Sequence, residues 1–164
     1  MPFQTPLLKT LTVEVLMDKH LSDSTEQQQA EVYILRKLEE ELGFSFDPTA
    51  ILPLSTKVQP DAIDVDNKVV VEVYARVGAV KGAQFHKIKG DILKLALIEK
   101  ELGAGWRKIM CFASDEAASY LLGNSWAAEA ARAFGVEVRT VSLPEDHKAS
   151  VIAAQMRQKM VNPT

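Results

Sequence analysis

Between Ala30 and Gly43, apolar residues recur at a helical interval: Ile34, Leu35, Leu38 and Leu42 share one stripe with Glu31. Ser22-Asp23-Ser24-Thr25 offers N-caps ahead of this stripe, Gln27 and Gln28 stand where a capping box needs its partner, and Gly43 ends the run. A first helix is therefore predicted up to Leu42. Ile51 to Val58 reads as extended. Two apolar runs then flank Asp66-Asn67, the pattern of a tight β-hairpin with Val69-Val70-Val71 and Val73 in its second strand. Gly78 and Gly82 bracket a turn into a long helix with Phe85, Ile88, Ile92 and Leu95 on its apolar side, ending at Leu102-Gly103. A strand is predicted from Lys108 to Ala113. A helical region capped by Ser114-Asp115-Glu116 runs on to Gly135, with a break at Gly123-Asn124. A further strand spans Val136 to Leu143, and Pro144 suits the first residue of a last helix. This alternation predicts a parallel portion of sheet covered by helices. Residues 1–21 read as an arm in which Leu11-Thr12-Val13-Glu14-Val15 alternates weakly, a short strand for the sheet or for another subunit of a homodimer. Residues 22–164 read as a single α/β domain.

Composition narrows the class. A chain of 164 residues with 47% apolar and 25% charged residues can bury a core without disulfides or metal. The single Cys111 excludes an internal disulfide, and no basic-then-apolar leader is recognisable at Met1–Pro6. No apolar run is long enough to span a bilayer. The expectation is a cytoplasmic protein with no membrane partner. A formal charge of −3 gives no global pull toward nucleic acid, but the charge is uneven. From Arg76 to Lys108 eight basic residues (Arg76, Lys81, Lys87, Lys89, Lys94, Lys100, Arg107, Lys108) stand against Asp91, Glu99 and Glu101, a local excess that suits a phosphate backbone or, equally, a solvated helix face.

The hairpin concentrates the chemistry. With Asp66 and Asn67 as its two loop residues, Val65 faces Lys68, Ile63 faces Val70 and Asp61 faces Glu72. Side chains opposed in this way have Cβ atoms about 5 Å apart. Two carboxylates that close repel unless one is protonated or a cation lies between them, and a divalent metal is the economical cation. Glu72 interrupts a run expected to be buried on both faces, either for a site or for an ion pair with Arg76 on the same face. Asp64 points the other way and reads as a solvent-facing or hairpin-end charge, although an odd loop would exchange the roles of Asp61 and Asp64. Glu31 adds a third carboxylate on a core-facing stripe, or merely sits at the stripe's edge near the helix start.

Pro60-Asp61, a gap, then Glu72-x-Tyr74 inside an apolar strand resembles the PD-(D/E)xK nuclease superfamily, over an order of helix, hairpin, helix and strand from about Ser24 to Phe112. The resemblance implies a restriction-endonuclease-like fold, three-layer α/β/α, with a mixed sheet and a central hairpin. It implies Mg²⁺ or Mn²⁺ held by Asp61, Glu72 and Glu31, and hydrolysis of phosphodiesters in nucleic acid, DNA before RNA. Tyr74 stands where the family's lysine is expected. That family also places the lysine on the following helix, where Gln84 and Lys87 resemble its glutamine and relocated lysine, with Lys81 as a rival. Lys94, further along, is expected to act only as a remote backbone contact. A non-catalytic member of the fold, serving as a nucleic-acid-binding or protein-interaction module, is the alternative; a third is a different α/β domain in which Asp61 and Glu72 are structural.

The remaining candidates carry less. Tyr74 reads as a half-buried strand residue, Cys111 as packing, and Trp106 and Trp126 as core or edge anchors. His20, His86 and His147 lack zinc-ligand spacing. No glycine-rich phosphate loop and no serine-nucleophile elbow is present.

Overall fold

The computed structural model describes residues 24–161. Helix α1 (Thr25–Leu42) opens on the expected capping box, with Ser24 and Gln27 bonding each other's backbone, and closes at Gly43 in the left-handed conformation. Strands β1 (Ala62–Asp64) and β2 (Val69–Tyr74) form the hairpin. Helix α2 (Gln84–Leu102) leads to β3 (Arg107–Phe112), and α3 (Asp115–Leu122) and α4 (Trp126–Ala133) lead to β4 (Val136–Thr140). Helix α5 (Glu145–Val161) follows Pro144. Ser114 and Ser125 each cap a helix, so the predicted break at Gly123-Asn124 is real. The segment 51–58 lies in irregular structure, where the Gln59 side-chain amide pairs with both backbone groups of Leu52 in place of a neighbouring strand. The arm 1–21 and its strand at Leu11–Val15 lie outside the described residues.

The sheet runs β1-β2-β3-β4, antiparallel across the hairpin and parallel thereafter. Its register is the expected one: Ile63 pairs with Val70 and Ala62 with Val71, which puts Asp61 level with Glu72. The hairpin is not central as a whole. β2 is interior, but β1 is the edge strand of the described sheet, and its outer side is met by the Asp47 N–H on the Ile63 carbonyl.

Parity sorts the core into two layers. Val69, Val71, Val73, Ile109 and Cys111 face Ala30, Ile34 and Leu38 of α1 and Val151 of α5. Ile63, Val70, Tyr74, Met110 and Phe112 face Ile88, Ile92 and Leu95 of α2 and the small apolar faces of α3 and α4. The result is a mixed sheet with helices on both sides, and β2 is buried along its whole length. Among the described residues no helix is long and apolar enough to cross a membrane.

Asp64 locks the hairpin. Its carboxylate accepts from the Asn67 backbone N–H at 3.1 Å and from the Asn67 side-chain amide at 2.8 Å. It is buried and so belongs to the hairpin end, not to solvent. Asp64→Ala should cost about 1–2 kcal/mol in urea denaturation, the value of a lost buried acceptor. An unchanged midpoint would show that the register is set without it.

Candidate functional site

Strand β2 is sealed on both faces, so a charge on it must find compensation within the protein. Glu72 is 1% exposed. Hairpin register brings Asp61 beside it, the two carboxyl groups within hydrogen-bonding reach, and the outer oxygen of Asp61 accepts from the Val73 N–H at 2.8 Å. From α2 above, Lys94 places its ammonium 2.8 Å from Glu72 Oε1 and 3.7 Å from Asp91 Oδ1. Lys87, two turns earlier, lies 3.6 Å from Asp91 Oδ2. Three carboxylates, two from the hairpin and one from the helix, thus gather around a half-buried ammonium, with a second ammonium at the rim.

The electrostatics are those of a crowded acidic pocket. Burial raises the Glu72 pKa well above the usual carboxylate range; Asp61 and Asp91 push it further and Lys94 pulls against them. Burial also raises Asp91, opposed by Lys87 and Lys94. For Lys94, burial works against the charge, but Glu72, Asp91 and Asp61 together outweigh it and its pKa is raised. Glu72 Oε1 and Asp91 Oδ2 are both buried, and each faces an ammonium, Lys94 at 2.8 Å and Lys87 at 3.6 Å.

A small cleft of about 20 Å³ lies at the end of β2, lined by Gln27, Glu31, Val73, Tyr74, Ala75, Arg76 and Lys87. Glu31 and Lys87 therefore converge on one cleft, while Glu72 lies deeper in the fold; Asp61 is partly exposed. Gln84, at the first turn of α2, is partly buried with Oε1 lacking a donor. Lys81 is exposed on the preceding turn and reaches none of these carboxylates among the described residues.

Four expectations change. Lys94 is not a remote backbone contact: it is the ammonium at Glu72. Glu72 is not paired with Arg76, whose guanidinium donates to Gln158 at 2.8 Å. Tyr74 is not half-buried: it is 2% exposed and packs on Phe112, because β2 is covered by a strand on each side and a helix on each face. Trp126 is no anchor, being 69% exposed, whereas Trp106 is buried as expected. Cys111 behaves as packing, its thiol pushed up to about 12 chiefly by burial. The signal for Lys94 was present in the spacing, since Gln84, Lys87, Asp91 and Lys94 continue one flank of α2 by steps of three and four.

Among the described residues no three His, Cys, Asp or Glu side chains are grouped so as to hold a metal ion together. No family model matches this chain, and neither a curated protein nor a solved structure matches it.

The excess of carboxylate makes a prediction about stability. Glu72 binds its proton more tightly folded than unfolded, so the stability it contributes is complete below the ordinary glutamate value of 4.5 and is lost as pH rises toward the folded value. Glu72→Gln, which keeps the shape and removes the charge, should raise Tm above about pH 6, and the gain should vanish toward about pH 4. Lys94→Met should do the reverse at neutral pH, losing about 3–5 kcal/mol by leaving the carboxylates uncompensated. Equal destabilisation by both substitutions would reduce the pair to an ordinary structural salt bridge.

Proposed function

We propose that this chain is a metal-dependent nuclease-like protein of the restriction-endonuclease-like type, acting on phosphodiester bonds in nucleic acid, DNA before RNA. The observation that supports it most is the Asp61–Glu72 carboxylate pair with the Lys94 ammonium against it. This is the chemistry of Pro-Asp…Glu-x-Lys with the cation supplied from the next helix, where Tyr74 cannot supply it.

The donor set fits Mg²⁺ or Mn²⁺. Magnesium commonly takes one or two protein carboxylates and keeps water or substrate phosphate on its other positions, so the absence of a three-ligand group among the described residues is no obstacle. Asp61 and Glu72 would hold the ion, since the hairpin register sets their carboxylates side by side. Such an ion, when bound, polarises a phosphoryl oxygen and lowers the pKa of water. Lys94 would hold its ammonium beside the reacting phosphate, where a charge acts on the transition state. Lys87, at the cleft, would engage the incoming backbone, and Glu31 across the cleft would orient what enters.

The alternative, a non-catalytic member of the same fold that binds nucleic acid or protein, is favoured by one observation: Lys94 already neutralises Glu72 in a closed, hydrogen-bonded cluster. Two measurements separate the readings. Mn²⁺ should raise Tm by mass action, about 2.7 kcal/mol at a hundredfold excess over Kd, and Glu72→Gln should abolish the shift. With Mg²⁺ or Mn²⁺ and a mixed DNA and RNA panel, Lys94→Met should lower kcat by about 10²–10³. Lys87→Ala should chiefly weaken binding and its salt dependence. No cleavage of any substrate by the unmutated protein, with Mn²⁺ bound, moves the reading to the non-catalytic module.

A further inference from the structure

Helix α2 presents two different flanks. One carries Lys87, Asp91 and Lys94 toward the carboxylates. The other carries Lys89, whose ammonium stands 4.8 Å from the centre of the Trp126 ring. Trp126 opens α4 and is 69% exposed, and Leu93, one turn after Lys89 on that flank, is 64% exposed. A surface tryptophan with most of its ring in water is unusual, because so large an apolar group is normally buried.

The surroundings identify what this ring fits. Between Lys81 and Lys100 the acidic residues are Asp91, which is buried, and Glu99, which is held by Lys108 at 2.6 Å. The exposed lysines on the same stretch are Lys81, Lys87 and Lys100, with Lys89 half-exposed. The first turn of α2 holds no acid and its N-cap, Ala83, makes no side-chain cap, so the positive end of the helix dipole is not offset by charge. Gly90 sits exposed at mid-helix, and a Cβ added there would meet nothing within 4 Å. Glycine costs a helix about 1 kcal/mol relative to alanine, and no packing requires it here. It leaves the outer face of α2 flat between the two flanks, about one helix diameter, ~10 Å, apart.

We infer that Trp126, backed by Lys89, is a stacking platform for an unpaired base of a single-stranded nucleic acid whose backbone crosses α2 over Gly90 toward Lys87 and the carboxylate cleft. The inference rests on the nucleic-acid reading of that cleft and narrows its substrate class. A base stacked on an aromatic ring gains attraction whatever its identity, and a lysine beside the ring adds charge for the adjoining phosphate. A duplex keeps its bases stacked on one another and has none to offer.

The chain has two tryptophans; both emit, but Trp106 is buried, so quenching by a stacked base reports Trp126, and Trp126→Ala should remove it. Full-length protein in EDTA, titrated with oligodeoxythymidylate, oligouridylate and a duplex of equal length, should be quenched by the single strands and much less by the duplex; the first two arms separate DNA from RNA. Anisotropy of a labelled oligonucleotide should show Trp126→Ala binding about 5- to 150-fold more weakly. Lys89→Gln should lower the salt dependence. Equal binding by Trp126→Ala, or preference for duplex, overturns the platform. So does quenching that follows protein concentration alone, which would mark the face as a contact between copies of this chain. Binding without cleavage sinks the nuclease reading and leaves the platform; cleavage with unaltered binding by Trp126→Ala does the opposite.

Discussion

A buried carboxylate with a second one held beside it is the constraint from which this structure is built outward. Glu72 cannot leave β2, and the hairpin register does not let Asp61 leave Glu72. Water cannot solvate Glu72, since β2 has a strand on each side and a helix on each face, although Asp61 is partly exposed. Their repulsion must be met by a cation from within, and α2 supplies it through Lys94. Asp91 holds Lys94 and Lys87 on one flank of α2, and the Lys94–Glu72 contact orients that flank toward β2, as Ile88, Ile92 and Leu95 orient the underside.

Such an arrangement is poor as a stabilising device. A buried ion pair barely repays its desolvation, and here carboxylates outnumber the buried cation. The chain retains it where apolar residues of similar volume would pack at less cost, which is why strongly shifted carboxylates in a fold carry functional weight beyond their geometry. The neighbouring cleft has the same character. Glu31 reaches it from the helix below the sheet and Lys87 from the helix above, so opposite charges meet at the end of β2, where the strand emerges from its neighbours.

The two flanks of α2 divide its labour. The inner flank is polar and committed to the carboxylates; the outer face, with Gly90 and Leu93, has Lys89 at its far edge and carries no exposed acid until its final turn. A helix built for packing alone would not place Gly90 at its exposed centre or leave Trp126 uncovered beside it. Net charge conceals this, because the acids of the chain gather elsewhere.

Much of the scaffold was legible in the residues themselves, for local reasons. Ser24 with Gln27, Gly43, Ser114 and the Gly123-Asn124 break act within one turn of backbone, so their effects can be read without knowing the fold. The pairing of Asp61 with Glu72 was legible because a two-residue loop and a period of two leave one parity. Membership of Lys94 in the cluster was not, although its spacing from Lys87 and Asp91 hinted at it. Which of several lysines on a helix meets a strand depends on where and at what angle the helix crosses the sheet, and that is set by contacts between residues distant in sequence, Ile88 and Leu95 against Val70 and Met110. The burial of Tyr74 and the exposure of Trp126 have the same origin. An aromatic residue reads alike in sequence whether a helix covers it or not, and only the packing of distant elements decides which ring is sealed and which is left in water.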